Sequence, residues 1–270
     1  MPVLPGAEPF AADGGSVGVV VSHGFTATPR SVLPWAQHLA AAGYTVRLPL
    51  LPGHGTTWQD ANRSTWRQWY VAIREAYDEL ATRCDTVFAA GLSMGGTLVT
   101  RLAEEVGDGL GGVILVNPSL ATERFDAKFA RYVGRLVPSR PGFGSDIKAP
   151  HEPTLGYDRT PIRAFASLQR LWRVTRADLH RITAPVLMFR SVEDHVVEPL
   201  SGRLLQRGAT STTVREVLLE NSYHVATMDH DAPLIFAGSV DFIRERSDIR
   251  EHSDTDERSD LDRDVASSAQ

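Results

Sequence analysis

The chain has 270 residues, of which 42 % are hydrophobic, and it carries a formal net charge of −5. This length suffices for a full hydrophobic core, and a single α/β domain of this size is ordinary. No run of basic residues could follow a phosphate backbone, so we expect no nucleic-acid partner. The single cysteine, Cys84, excludes an intrachain disulfide and a thiolate metal cluster, which fits a cytoplasmic location.

The N-terminal stretch MPVLPGAEPF has neither a charged leader nor an apolar run of the signal-peptide type. No segment of the chain approaches the roughly eighteen apolar residues of a membrane-spanning helix. We therefore expect no secretory signal and no stable membrane insertion. Prolines and a glycine pair in residues 1–15 predict an irregular lead-in, with one edge strand near Glu8 to Ala12.

From Ser16 onward, short apolar runs alternate with amphipathic segments. This alternation predicts an α/β fold, with a mostly parallel, doubly wound sheet of about seven strands joined by right-handed crossovers. Capping signals set the helix limits, and Ser64 is the predicted cap of the longest helix. After the edge strand, the predicted strands are 17–21, 44–48, 86–90, 112–116, 185–189 and 213–218, and the predicted helices are 31–42, 64–80, 96–106, 199–207 and 232–246.

Between residues 121 and 181 the alternation stops. Prolines stand among short helical pieces such as 124–136, and we find no strand pattern. Insertions of this length are usually functional, so we interpret 121–181 as a small, mainly helical cap before the penultimate strand. The alternative is a helical excursion packed on the side of the domain. Apolar cap residues expected to line a pocket are Phe129, Tyr132, Ile147, Leu168 and Trp172.

The predicted α/β core thus comprises residues 16–120 and 182–246. The segment 247–270 is charged, repetitive and nearly free of large apolar groups. Such a composition cannot offset the entropy lost on ordering, so it predicts a disordered acidic tail.

A G-x-S-x-G pattern lies between the strand at 86–90 and the helix that follows. The turn forces Ser93 into strained dihedrals, and only glycines fit two positions away on either side, here Gly91 and Gly95. Ser93 therefore projects its hydroxyl clear of the sheet. The helix begins at Met94, so its free N–H groups face any anion that forms at Ser93. In the alternative interpretation, Ser93 only caps the helix.

A serine nucleophile needs a general base, which is itself oriented by a third group. In open α/β sheets, ligands bind at the carboxyl ends of the strands. His224 lies on the loop after the last predicted strand, and Asp194 lies on the loop after the strand before it. The chain order Ser93, Asp194, His224 is that of the α/β-hydrolase signature.

Other residues compete for these roles. Glu193 is the reserve acid, although neighbouring residues near a strand end point in different directions and the D-x-V-V run favours Asp194. Asp229 and Asp231 are interpreted as N-terminal caps of the final helix. We expect His23 and His54 to brace loops, while an approach of His54 to the pocket stays open.

An oxyanion needs two preorganised donors. We assign the main-chain N–H groups of Met94, which follows the nucleophile, and Phe25, which follows the first strand of the core. Phe25 and Ile147 are the candidate substrate-binding side chains.

Together these motifs resemble the bacterial carboxylesterase and monoacylglycerol lipase family of α/β-hydrolases, over nearly all of residues 8–244. The resemblance implies hydrolysis of short- to medium-chain carboxylic esters, some of them monoacylglycerols, without a metal or organic cofactor. A small cap is also a family feature, although the cap sequence and the acidic tail depart from the family. The residues that carry the resemblance are His23-Gly24-Phe25-Thr26, Pro52-Gly53-His54-Gly55, Gly91-Leu92-Ser93-Met94-Gly95-Gly96, Asp194 and Ser222-Tyr223-His224.

We therefore expect a serine carboxylic-ester hydrolase that acts through an acyl-enzyme on a small-molecule ester or lipid. An acyltransferase or thioesterase would use the same triad, because different nucleophiles can intercept one acyl-enzyme. A non-catalytic binding protein of the same fold is the third alternative. The sequence assigns no oligomeric state. Dehalogenase and epoxide hydrolase chemistry is excluded, since it would place a carboxylate where Ser93 stands.

Overall fold

The computed structural model describes residues 2–124, 137–142, 144–151 and 155–247. The helix predicted at 124–136 lies outside these residues apart from Arg124, as do the pocket candidates Phe129 and Tyr132. The predicted tail lies outside them apart from Ser247.

Seven strands form one sheet, and a further two form a small separate sheet. In chain order the strands are β1 Phe10–Ala12, β2 Val17–Ser22, β3 Thr45–Leu48, β4 Thr86–Leu92, β5 Gly112–Val116, β6 Ser139–Pro141, β7 Arg159–Pro161, β8 Val186–Ser191 and β9 Val214–Leu219. The large sheet has the order β1-β3-β2-β4-β5-β8-β9, in which only the β1–β3 pair is antiparallel. The predicted mostly parallel sheet of about seven strands is confirmed.

The helices cover both faces of the large sheet. They are α1 Leu33–Ala41, α2 Trp58–Ala61, α3 Trp66–Ala81, α4 Met94–Val106, α5 Ile162–Asp178, α6 Leu200–Gly208 and α7 over 232–247, with a 3₁₀ turn at Pro29–Ser31 before α1. One face of the sheet packs against α3, α4 and α5 through buried residues such as Trp69, Leu98 and Leu171, and the other against α1 and α7 through Trp35 and Phe242. The doubly wound arrangement is therefore confirmed.

The strand register aligns the carboxyl ends of the central strands. Gly91 of β4 pairs with Ser22 of β2, and Leu92 pairs with Val116 of β5. Val116 in turn pairs with Phe189 of β8, so the loops after these strands emerge at one edge of the sheet. This edge carries the candidate functional residues.

The cap of α3 differs from the prediction. Thr65, not Ser64, is the N-cap residue, and its N–H donates to the Gln68 side chain at 2.9 Å in a capping box. The Ser64 hydroxyl has other partners, because it donates to the Ala61 carbonyl and accepts from the Trp69 indole. Ser64 therefore ties the preceding turn to the core.

The segment between β5 and β8 also differs in detail. β6 and β7 pair antiparallel within it, so the expectation of no strands there was wrong. Each is only three residues long and ends in a proline, Pro141 or Pro161, which masks the alternation that identifies strands. α5 packs against α3 and α4, while Leu168 and Trp172 on it are buried.

None of the described helices combines the length and the apolar composition needed to cross a bilayer.

Glu104 on α4 is a fully buried carboxyl group. Its side chain is 0 % exposed, and its Oε2 atom accepts from Arg101 Nη1 at 2.9 Å. Within the described residues, Oε1 has no hydrogen-bond partner. Burial raises the pKa of Glu104 to about 8, and the charge of Arg101 opposes this shift only in part.

The raised pKa of Glu104 predicts a pH dependence of stability. Between about pH 4.5 and pH 8 the folded protein keeps a proton that the unfolded chain releases, so stability from this group falls as pH rises. We expect urea titrations to show a smaller fall in the free energy of unfolding over this pH range for Glu104→Gln than for the wild type.

Glu105→Gln is the matched control. This residue also pairs with Arg101, but its side chain is 32 % exposed, and its replacement leaves the buried Glu104 carboxyl in place, so the pH-dependent contribution of Glu104 should persist. Parallel pH profiles for the wild type and Glu104→Gln would contradict the assignment.

Candidate active site

Ser93 occupies the turn between β4 and α4 in a conformation that is rare for a residue with a side chain. Its φ is 56° and its ψ is −118°, and α4 begins at the next residue. The main chain is held on both sides of the turn. The Ser93 N–H donates to the Val116 carbonyl at 2.9 Å, and its carbonyl accepts from Ser119 at 3.1 Å. Hydrogen bonds to residues at the end of β5 and just after it therefore hold Ser93 in its strained conformation.

The neighbouring glycines are required by close main-chain contacts. A Cβ on Gly91 would lie 2.4 Å from the carbonyl carbon of Gly95. A Cβ on Gly95 would lie 2.2 Å from the Ser22 carbonyl oxygen at the end of β2. Both distances are far below a van der Waals contact, which is the steric reason inferred from the G-x-S-x-G pattern.

His224 and Asp194 meet above the ends of β8 and β9. His224 Nδ1 lies 2.8 Å from Asp194 Oδ2, and both side chains are almost fully buried. The other carboxylate oxygen accepts the N–H groups of Val196 and Val197, each at 2.8 Å. A proton on Nδ1 facing the carboxylate leaves Nε2 as the basic nitrogen of the ring.

The Asp194 carboxylate is stabilised in its charged form. Burial by itself would raise its pKa, but the interaction with His224 and the two main-chain hydrogen bonds outweigh burial. The pKa of Asp194 consequently lies below its usual value, which suits a group that stabilises an imidazolium.

A cavity of about 310 Å³ opens at this edge of the sheet. Ser93 and His224 both line it, together with Phe25. The segment between β5 and β8 supplies both apolar and polar wall residues. Of the cap residues expected at the pocket, Leu168 and Trp172 line it, whereas Ile147 is buried but is not among its described wall residues.

The loop after β2 lies beside the nucleophile. A Cβ on Gly24 would lie 3.4 Å from the Ser93 Cβ, so the main chain passes close to the serine. Among the described residues, the N–H groups of Phe25 and Met94 have no protein acceptor. The Phe25 ring packs against Trp69 on α3 and Phe165 on α5, which holds this loop against both helices.

His23 and His54 lie behind that loop, and neither is among the described wall residues of the cavity. His23 Nδ1 donates to the Gly24 carbonyl, while Nε2 accepts from the Leu51 N–H at 3.2 Å. Burial, with a smaller effect of His54, lowers the pKa of His23 to about 3. Burial likewise lowers the pKa of His54 to about 4. A neutral His23 bridges two loops, as expected.

The competing acids have other contacts. Glu193 is half exposed and lies 3.6 Å from Lys148 Nζ. The sequence predicts that Asp229 caps the final helix, but its side chain does not do so. Its carboxylate instead accepts four main-chain N–H groups, from Lys148, Ala149, Tyr223 and His230.

Asp231 directly precedes α7, but its carboxylate accepts the Asn221 N–H at 2.8 Å. Both aspartates therefore organise the loop that carries His224. No sequence pattern indicates which N–H groups the two carboxylates bind. Some of these groups lie on a different segment of the chain, and the others lie on an irregular loop.

Among the residues that the structure describes, no group of three or more His, Cys, Asp or Glu side chains is arranged to hold a metal ion.

Comparison with known proteins places this chain in a family. The family model described as "Serine aminopeptidase, S33" matches residues 17–231. The chain belongs to this family of α/β-hydrolases. It is 44 % identical to a thermostable monoacylglycerol lipase of Bacillus sp. (strain H-257) over 246 residues, which cover 91 % of this chain and 98 % of the relative. It is 24 % identical to a carboxylesterase of Bacillus subtilis (strain 168), over 88 % of this chain and 96 % of the relative.

Solved structures agree with this family. One chain from the work on LipS and LipT, two metagenome-derived lipolytic enzymes, has a TM-score of 0.87 and 41 % identity, over 90 % of this chain and 100 % of that one. A monoacylglycerol lipase of Paleococcus ferrophilus shares the fold, with a TM-score of 0.71 and 23 % identity, over 88 % of this chain and 99 % of that one. The predicted family and enzyme class, a serine ester hydrolase, are confirmed.

The close contact at Gly95 makes a testable prediction. We expect Gly95→Ala to lower the free energy of unfolding by about 3 kcal/mol, at the upper end of the range for overpacking, because main-chain atoms must separate. Gly96→Ala is the control, for which we expect a smaller loss, since its Cβ would lie 3.1 Å from the Pro118 side chain and 3.2 Å or more from the nearest main-chain atoms. Urea unfolding that shows equal stability for the two variants would contradict this explanation of the motif.

Proposed function

We propose that the protein hydrolyses carboxylic esters of short to medium acyl chain, including monoacylglycerols, through an acyl-enzyme on Ser93. The observation that carries the proposal is the common cavity of Ser93 and His224, with Asp194 bound to the far side of the imidazole. The name of the 44 % identical relative supports monoacylglycerols as one substrate.

In the first half of the reaction, His224 Nε2 accepts the proton of the Ser93 hydroxyl while Oγ bonds to the ester carbonyl carbon. The carbonyl electron pair moves to the oxygen, and the N–H groups of Phe25 and Met94 stabilise this oxyanion. As the intermediate collapses, the bond to the alcohol oxygen breaks. The imidazolium of His224 then returns its proton to that oxygen, and the alcohol leaves.

In the second half, water takes the place of the alcohol. His224 accepts a proton from water, whose oxygen attacks the acyl carbon of the ester on Ser93. Collapse of the second oxyanion breaks the bond between the acyl carbon and Ser93 Oγ, the imidazolium of His224 returns its proton to that oxygen, and the carboxylic acid leaves. Throughout, Asp194 keeps the imidazole in the required tautomer and stabilises its charged form.

The walls of the cavity suit a substrate with one apolar and one polar end. Phe165, Leu168 and Trp172 offer an apolar surface for an acyl chain, and the wall also includes polar residues such as Thr26 and Ser119. The volume of about 310 Å³ is at the lower end of the usual range for ligand pockets, about 300–1,000 Å³. This size supports a small ester over a bulky triacylglycerol.

The test of mechanism is labelling with a fluorophosphonate, read by mass spectrometry of the folded protein. We expect one adduct on Ser93 in the wild type and none in Ser93→Ala. Asp194→Asn should lower kcat by about 10⁴-fold, since it favours the wrong imidazole tautomer. Glu193→Gln, the matched change at the neighbouring residue, should stay near the wild type. An adduct elsewhere, or a larger loss at Glu193 than at Asp194, would contradict the assignment.

The test of substrate class is a panel of monoacylglycerols and p-nitrophenyl esters of increasing chain length, with an acyl-CoA, an acceptor alcohol and an amino-acid p-nitroanilide. We expect turnover of the esters with a maximum at short to medium chains. Preferred turnover of the acyl-CoA or of the anilide, or acyl transfer to the alcohol in place of hydrolysis, would identify a different reaction of the same triad.

We also infer a cytoplasmic location and a role in lipid metabolism. The location is supported by the single cysteine in 270 residues, and the role by the proposed monoacylglycerol substrate.

A further inference from the structure

Two side chains outside the proposed triad hold the main chain of His224. The His224 N–H donates to Asp146 Oδ2 at 3.1 Å. Its carbonyl accepts from Asn117 Nδ2 at 2.8 Å. With Asp194 on Nδ1, His224 is fixed at its ring and at both of its main-chain polar groups.

Asp146 reaches His224 from the segment between β5 and β8. Its carboxylate is only 12 % exposed and also binds His195, through the main-chain N–H at 3.1 Å and Nδ1 at 2.8 Å. Its carbonyl accepts the Val225 N–H at 3.0 Å. One residue of this segment therefore contacts both of the loops that carry Asp194 and His224.

Asp229 strengthens the same connection. Its carboxylate accepts the N–H groups of Lys148 and Ala149, at 2.7 and 2.9 Å, and that of Tyr223 at 2.9 Å. Residues 146–149 are thus bound to the loop of His224 by several hydrogen bonds in succession. This part of the segment is integral to the wall that holds the base.

Asn117 holds His224 from the side of the sheet. It follows β5 with a φ of 44°, a left-handed conformation that asparagine tolerates better than most residues. Its Oδ1 accepts the Ser191 N–H at 2.8 Å, and Nδ2 also donates to Ser191 Oγ at 3.0 Å. Ser191 Oγ in turn donates to the Tyr223 carbonyl at 2.8 Å. The amide is therefore oriented by the last residue of β8.

The turn that contains Asn117 also supports the nucleophile, since Val116 and Ser119 bind the main chain of Ser93 on either side. Asn117 thus links the positions of Ser93 and His224 through one short stretch of main chain. A displacement of the imidazole by about 1 Å can cost about 100-fold in rate, so such links have a measurable effect on catalysis.

We propose that Asp146 and Asn117 are positioning residues for His224, and that the segment between β5 and β8 acts in catalysis as well as in forming the cavity. This inference rests on the proposed function of the site. Asp146 accepts a hydrogen bond from the His224 N–H, and Asn117 donates one to the His224 carbonyl. The effect of a substitution therefore depends on whether the new side chain can still accept or donate that bond.

The test compares variants that keep or remove these bonds. Asp146→Asn retains an oxygen that accepts the His224 N–H, whereas Asp146→Ala removes it. Asn117→Asp keeps the shape and tolerates the left-handed φ but replaces the donor by an acceptor facing the His224 carbonyl. Asn117→Gly, which also tolerates this φ, removes the side chain. Glu193→Gln is the control, because it removes a nearby carboxylate without a contact to His224.

The measurements are kcat and KM for p-nitrophenyl butyrate and the rate constant for fluorophosphonate labelling of the folded fraction. We expect Asp146→Ala, Asn117→Asp and Asn117→Gly to lower kcat and the labelling rate in parallel by about 10- to 100-fold, with KM changed less than threefold. Asp146→Asn and Glu193→Gln should stay within about threefold of the wild type.

Three results would overturn the proposal. The first is wild-type kcat and labelling rate in Asp146→Ala and in both Asn117 variants, and the second is an effect confined to KM. The third is an equal loss of kcat in Asp146→Asn and Asp146→Ala. If Asn117→Asp does not fold, Asn117→Gly decides the role of Asn117. Failure of the proposed function gives a different result, since the wild type itself would then show neither turnover nor labelling of Ser93.

Discussion

The turn at Ser93 passes so close to the end of β2 that a Cβ on Gly95 would lie 2.2 Å from the Ser22 carbonyl oxygen. This approach requires glycine at that position and directs the chain from β4 into α4 within a single residue. Ser93 therefore adopts a positive φ, a conformation that costs about 1–3 kcal/mol and persists only where the surroundings enforce it. Main-chain bonds to Val116 and Ser119 supply that enforcement, and they fix the serine at the floor of the cavity.

The other half of the site depends on the register of the parallel strands. β4, β5, β8 and β9 end at one edge of the sheet, so residues distant in sequence meet there. His224 gains its position from three directions: Asp194 after β8, Asn117 after β5, and Asp146 from the segment above the sheet. Buried charges and amides in this region are almost fully hydrogen-bonded, which favours one arrangement of the loop over others.

Much of this architecture could be predicted from the sequence, because it depends on local patterns. Apolar runs mark the strands of the large sheet, and the glycine spacing around Ser93 marks the turn. The pairing of His224 with Asp194 could be predicted because any parallel sheet brings its carboxyl ends together. The limits of the cap stay a prediction, and the roles of the triad are predictions that the proposed experiments address.

The failures have physical causes. Ser64 and Thr65 are both good N-caps, but Gln68 completes a capping box with Thr65, while the Ser64 hydroxyl is taken up by the Ala61 carbonyl and the Trp69 indole. β6 and β7 are too short to show a period of two residues. The sequence predicts Ile147 at the pocket because it is apolar and lies between β5 and β8. It is buried, but an apolar residue can be buried in the protein interior without lining the cavity.

Asp229 shows a further limit of sequence reasoning. Its four partners are main-chain N–H groups, which every residue except proline possesses, so the residues around it carry no trace of the contact. The same holds for Asp146 and Asn117, which bind the main chain of His224. Outside local capping motifs, hydrogen bonds between a side chain and the main chain become visible only when the fold is known.

The most direct test of the central claim is a crystal structure of the protein after reaction with a small alkyl phosphonate. We expect phosphorus bonded to Ser93 Oγ, and the phosphonyl oxygen about 3 Å from the N–H groups of both Phe25 and Met94. His224 Nε2 should lie within hydrogen-bond reach of Ser93 Oγ or of the oxygen that replaces the leaving group. A phosphonyl oxygen that points away from these donors, or an adduct on another residue, would contradict the proposed site.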